Sequence, residues 1–457
     1  MQSDEIKKNI PIILIIILTA IIGVSFIANH PVQKLNHDEV RQLQFAHEAE
    51  SWDQKLVKLV PGFMGVSGPW PPFSSAFNGL FSTAELYERY QLEKVSPKIN
   101  NLDFDNLVTS DISRFINRIA SINLLMLMVS GILIYQICLL LNVRPIFSAL
   151  ATSLVVFNPR VLCYVQSLWC ELLHLVMVLG AFYLLLRFFE KKGLQNLLFA
   201  SLLMGYAALT KGIADKFFWI LICIFLVMWV VKIAKRERID SHFLVVLLAL
   251  CIPFLVVTHA QKIGTYQLTG TYTIAANTWI NIEVGLKSAQ GASFLGIYRT
   301  NKKSGADHYE RELASKRRVV EYFKAADPFK LARNLTVRFK KTQLDKSYFT
   351  SSVTNNRWIN SSGLGGLTTL TTVLSYFLML VGGVGLALYG VRSPRHILLS
   401  SYLAYYLVAL FIVAHVSRFF VQAIPFLAIF AAMLIQDVND YLFARFERNA
   451  SNSEKPD

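Results

Sequence analysis

The sequence predicts an all-α polytopic membrane protein, and three observations predict it. Hydrophobic residues make up 54% of the 457-residue chain and charged residues only 16%, well below the ~25% charge of ordinary soluble domains. Apolar runs approaching the ~20 residues that cross a bilayer core recur along the chain. The short loops between them alternate in basic charge, as expected when Lys and Arg stay on the cytoplasmic side.

The first run, Ile10 to Ala28, is longer than a signal-peptide core, and no small-x-small cleavage site follows it, so it reads as an uncleaved anchor. Further runs lie at 119–141, 168–187, 196–210, 217–232, 243–260, 367–389, 397–414 and 419–437. With Pro145 to Phe157 they make ten passes. That last run rises only about 20 Å, so it must stop inside the membrane. Asn158-Pro159-Arg160 would then be irregular backbone at membrane depth, tolerated only inside protein or beside a wet cavity.

Basic loops at Arg144, Lys191-Lys192, Lys232 to Arg238, Arg392 to Arg395 and Arg445 to Arg448 set the cytoplasmic face. Residues 29–117, Asn158 to Leu168, Lys211 to Lys216, 261–365 and His415 to Arg418 then lie outside. The organisation is a transmembrane module over 1–260, a basic segment over 261–365 and C-terminal helices over 366–457. Residues 29–117 hold eight basic against eleven acidic residues, a balance of −3; residues 261–365 hold seventeen against seven, or +10. Arg160, Arg418 and the turn Lys211 to Lys216 add three more charges, so +10 of the formal net charge of +15 is extracytoplasmic. That location argues against nucleic acid and for lipid phosphates or anionic glycans.

Helical spacing of Phe45, Ala49, Trp52, Leu56 and Leu59, and of Leu331, Leu335 and Phe339, predicts two amphipathic helices in the outer segments. They would lie in the membrane interface or, more plainly, cover the bundle. The five cysteines sit in or beside apolar runs and show no disulfide or zinc spacing.

Ionisable residues near the membrane are costly and mark sites or pathways. His37-Asp38-Glu39 follows the first run, Glu171 begins one pass, Lys211 ends another, Arg418 opens the last, and Arg160 follows the short helix. Each has a plain reading: Asp38 is a good helix N-cap, a Lys or Arg at a helix end snorkels, and a lone Glu pairs with one. Together they place acids and cations from five segments on one face. A carboxylate to take a proton from an acceptor hydroxyl, with cations to stabilise a departing phosphate, would serve glycosyl transfer from a lipid phosphate. No cytoplasmic loop carries a nucleotide-binding fingerprint.

These residues resemble the GT-C fold glycosyltransferases that use polyprenyl-phosphate sugars, a group that includes protein O-mannosyltransferases and the lipid A aminoarabinose transferase. The resemblance lies in Asp38-Glu39, Pro71-Pro72-Phe73, Arg118-Ile119-Ala120-Ser121, Glu171, Leu209-Thr210-Lys211-Gly212 and Arg418-Phe419 before Pro425, in that order. It implies a helix bundle of about ten spans, an inverting transfer with Asp38 as base, and Glu39 and Glu171 as further acidic residues. It also implies Lys211, Arg418, Arg160 and Arg118 toward the donor phosphate and a loop over the site at Trp70, Pro71 and Pro72. Related enzymes often carry Lys where Trp70 stands, so the charge there must come from elsewhere. A polyprenyl-phosphate sugar, an acceptor of anionic character and membrane lipids are the expected partners. No metal ligands are assigned, and the 38–39 pair leaves a divalent cation open. The expected home is a bacterial plasma membrane, with the site on its extracytoplasmic face. The rivals are an O-antigen polymerase or ligase using a lipid diphosphate, and a flippase, which would show internal repeats.

Overall fold

The structure, a computed structural model, describes residues 2–29, 51–65, 71–82, 110–235, 243–275, 278–289, 308–344, 364–413 and 417–453. Among these there is no strand. In chain order the helices are α1 (Gln2–Asn29), α2 (Trp52–Val57), α3 (Phe73–Gly79), α4 (Ser110–Leu140), α5 (Pro145–Val156), α6 (Pro159–Leu162), α7 (Glu171–Lys191), α8 (Leu194–Thr210) and α9 (Ile213–Ala234). They continue with α10 (Phe243–Thr269), α11 (Thr278–Ala289), α12 (His308–Ala325), α13 (Pro328–Phe339), α14 (Leu364–Phe377), α15 (Gly383–Tyr389), α16 (Pro394–Val413) and α17 (Ile424–Ser453). Eight helical stretches among the described residues are long and apolar enough to cross a membrane. Two of the ten expected passes, α5 and α8, are shorter apolar helices; with eight candidate spans and no strand among the described residues, the chain is an all-α polytopic membrane protein.

Apart from Gln422, the sequence 420–433 is apolar on every side, and a helix of that kind is a buried one. Phe420, Phe426, Leu427 and Phe430 are at most 1% exposed, which makes the start of α17 the central post of the bundle. It packs on α5 and on the π-helical turn Leu378–Gly382 that joins α14 to α15. Small residues permit that approach. A Cβ built on Gly382 would stand 2.5 Å from the Leu427 carbonyl oxygen, and one on Gly385 would overlap the Phe430 carbonyl. Neither carbonyl can swing aside as a side chain does. Gly385→Val is therefore expected to destabilise by about 1–3 kcal/mol through overpacking, read as a lowered thermal midpoint in detergent. Gly383→Ala, whose Cβ meets nothing within 4 Å, should cost nothing.

Pro253 interrupts α10, because proline has no N–H and its ring displaces the preceding turn. The neighbouring α8 repairs the break. The Ser201 hydroxyl accepts the Phe254 N–H at 2.9 Å and donates to the Leu250 carbonyl, bridging two groups that a straight helix would join directly. Helix α10 then runs to Thr269, past the boundary the hydropathy places at 260, and carries polar residues beyond the apolar stretch.

The basic segment folds as α11, α12 and α13 against α16. Leu335 and Phe339 of α13 are buried, Leu335 with Leu286 and Val319, and Phe339 with its ring 5.7 Å from Phe411. That stripe covers protein. Trp52 and Leu56 of α2 are exposed instead, while Lys55 between them turns inward to the Ser82 carbonyl at 2.8 Å. Part of the segment's charge is engaged internally. Arg318 holds both oxygens of Glu283 at 2.7 and 2.9 Å, with Lys287 at 2.5 Å. Burial raises the Glu283 carboxyl, but these bonds outweigh it and hold it below its usual value. Glu312 caps α11 by accepting from the Trp279 and Ile280 amides.

Candidate active site

Helix α5 ends at Val156, and the chain does not leave the protein there. Asn158 caps the four-residue α6 by accepting the Arg160 amide at 3.0 Å, and residues 158–168 are almost wholly buried. The segment expected to be irregular lies inside protein, but Pro159 to Leu162 form a helical turn. Its carbonyls need donors, and side chains from other elements supply them. Asn123 of α4 donates to Tyr164, Val165 and Ser167 at 3.3, 3.2 and 2.8 Å. Asn78 of α3 donates to Leu168 at 3.1 Å.

That loop delivers Glu171 to the start of α7, beside the end of α8. Glu171 is 2% exposed, and its Oε1 accepts from Lys211 Nζ at 3.0 Å. Lys211 closes α8 as its extended C-cap residue. The Glu171 backbone carbonyl accepts from Gln422 at 2.8 Å, which ties in the 3-10 helix Ser417–Gln422. Arg160 is 1% exposed, with its guanidinium 5.5 Å from the Phe420 ring and one N–H on the Leu344 carbonyl at 3.4 Å. Helices α4, α6, α7 and α8 and the 417–422 segment thus meet at one end of the bundle.

Pro71 and Pro72 are buried and lead into α3. The Phe73 ring lies 4.8 Å from Tyr206, one turn before Lys211 in α8. The Pro pair is thereby docked at the Glu171 end. Arg118 is exposed on α4, whose Ile119 and Ala120 face inward. The backbone of Arg418 lies in the 3-10 segment, but its side chain is outside the described set, as are Asp38, Glu39 and Trp70. Among the described residues no cluster of three His, Cys, Asp or Glu could hold a metal ion.

Sequence reasoning passed over a second charged group at the same end. Asp215, in the first turn of α9, accepts from Lys262 of α10 at 3.1 Å and lies 3.4 Å from Lys216. The signal was the polar stretch Thr258 to Lys262 closing an apolar run. Asn123 and Gln422 were also missed, because a lone amide in an apolar run does not name its partner.

No protein-family model matches the chain, and no curated protein matches it in sequence. Among solved structures it is similar to AglB, an archaeal oligosaccharyltransferase from Archaeoglobus fulgidus in complex with an inhibitory peptide and a dolichol-phosphate, at 14% identity and a TM-score of 0.46, over 98% of this chain and 52% of that one. An oligosaccharyltransferase of the same organism in its apo form gives 13% identity and a TM-score of 0.47, over 97% of this chain and 52% of the other. The chain thus spans about half the length of the structures it matches.

Proposed function

We propose that the chain is a membrane glycosyltransferase of the GT-C kind that moves one sugar from a polyprenyl phosphate to an extracytoplasmic acceptor. The observation that supports it best is the buried Glu171–Lys211 pair, set between two apolar helices with the Pro71-Pro72 segment docked beside it. Buried ionisable groups at this depth are retained where charge must be handled.

In this reading Asp38 takes the proton of the acceptor hydroxyl as that oxygen attacks the anomeric carbon. The bond from that carbon to the phosphate oxygen breaks on the opposite face, its electron pair leaves with the polyprenyl phosphate, and the configuration inverts. Lys211, with Arg160 and Arg418, stabilises the charge gathering on the phosphate. An ammonium carries three N–H donors, so holding Glu171 and meeting a phosphate are compatible. Glu171 orients Lys211, and Asp38 later returns its proton to water.

The test is to give the purified protein, in nanodiscs with a lipid extract as acceptor, three labelled donors: a polyprenyl monophosphate sugar, a polyprenyl diphosphate sugar and a nucleotide sugar. Release of polyprenyl phosphate from the first alone, with an inverted product, is expected. Use of the diphosphate would transfer the reading to a polymerase or ligase. Consumption of none would sink it.

A further inference from the structure

The second charged group lies against a cavity. It occupies about 130 Å³ and is lined by the turn Gly212 to Lys216, by Lys262 and by Tyr272 to Ala275 with Thr278. A single water needs roughly 10–15 Å³ of such space and a whole drug-sized ligand about 300–1,000 Å³. The volume suits a small polar group, not a sugar chain.

The lining chemistry indicates which group. The Asp215 side chain is 7% exposed, Lys262 16% and Lys216 64%. One carboxylate thus faces two ammonium groups, leaving the wall one positive charge in excess. The wall also includes the N-terminal turn of α9, where the helix dipole adds partial positive charge. The hydroxyls of Tyr272, Thr273 and Thr278 supply further hydrogen-bonding groups, with Tyr272 already bonded to His259 and Thr273 donating to the Ala275 carbonyl at 3.0 Å. Among the described residues of the wall, none beyond Asp215 carries negative charge. Lys211, just before this turn, does not line the cavity and is bonded to Glu171.

We infer that this cavity is an oxyanion-binding subsite for a phosphate group, in which Lys262 and Lys216 hold the anion and Asp215 is the internal competitor that the anion displaces. The group has two available sources, an anionic lipid headgroup or a soluble phosphate. The inference goes beyond the transferase reading and does not depend on it, since binding is read without any sugar transfer.

The experiment uses the full chain in phosphatidylcholine nanodiscs, titrated with inorganic phosphate against chloride at matched ionic strength, with thermal midpoint and ³¹P line broadening as readouts. Phosphate, not chloride, should raise the midpoint saturably. Lys262→Gln should weaken the apparent affinity about tenfold or more, because charge-assisted hydrogen bonds are the strong ones. Asp215→Asn should tighten it, whereas a merely structural ion pair predicts no change in affinity. The charge-neutral Glu171→Gln/Lys211→Met variant should keep the response, which separates this subsite from the donor phosphate site. If Lys262→Gln does not fold, the exposed Lys216→Gln decides in its place. Discs containing phosphatidylglycerol distinguish the sources: competition with phosphate in the wild type but not in Lys262→Gln assigns a lipid headgroup, and no competition assigns a soluble anion. Equal responses to phosphate and chloride, or variants that titrate like the wild type, would overturn the inference.

Discussion

Asp38→Asn is expected to lower sugar transfer by about 10²- to 10⁴-fold, the usual contribution of a positioned general base, while protein abundance and thermal midpoint stay unchanged. The substitution is chosen because the two readings of Asp38 diverge under it. As a helix N-cap, Asn is as good as Asp, since either side-chain oxygen accepts a backbone N–H. As a base, Asn fails, because an amide oxygen does not take the hydroxyl proton. Retained stability with lost transfer would therefore separate catalysis from capping within one residue. Asp38→Ala is the informative control, since it should lose both, with a stability cost of about 0.5–2 kcal/mol for the missing cap. Initial rates on the monophosphate donor, normalised to folded protein, provide the measurement. Full activity in Asp38→Asn would remove the base assignment and direct attention to Glu39.

How much of this was legible beforehand varied with the kind of signal. Continuous apolar runs mark helices directly, so the ten apolar helices, eight of them long enough to span, and the short, buried descent through Asn158-Pro159-Arg160 were readable. The sequence 419–437 was one run among several, and only packing distinguishes it as the central post, through close approach of Gly382 and Gly385 to carbonyls some forty-five residues away. Partnership was the harder part. Glu171 and Lys211 were each readable as costly charges, but periodicity does not join residues forty positions apart. Lys262 was invisible as a partner because the apolar run seemed to end at residue 260, whereas α10 continues to Thr269 and carries it to Asp215. Arg318 is one of seventeen basic residues between 261 and 365, and only the fold shows it committed to Glu283.

The Glu171–Lys211 pair permits a test in which fold and chemistry are measured apart. Lys211→Met alone would leave the Glu171 carboxylate, 2% exposed, without its Lys211 partner, and its Oε2 already lacks a hydrogen-bond partner among the described residues. Glu171→Gln alone would take from the Lys211 ammonium, 13% exposed, its carboxylate partner Glu171. Each single change is expected to cost about 3–5 kcal/mol, the usual penalty for stranding a buried charge, with Glu171→Gln at the lower end because Lys211 retains some water. The double variant Glu171→Gln/Lys211→Met strands nothing. Replacing a buried pair by neutral groups of similar volume is often neutral or stabilising, so its thermal midpoint should return close to the wild type and the cycle should show strong coupling. Sugar transfer should not return with it, because neither Gln nor Met can stabilise the charge on a departing phosphate. Recovery of both stability and transfer in the double variant would reduce the pair to a structural staple, leaving Arg160 and Arg418 to meet the phosphate.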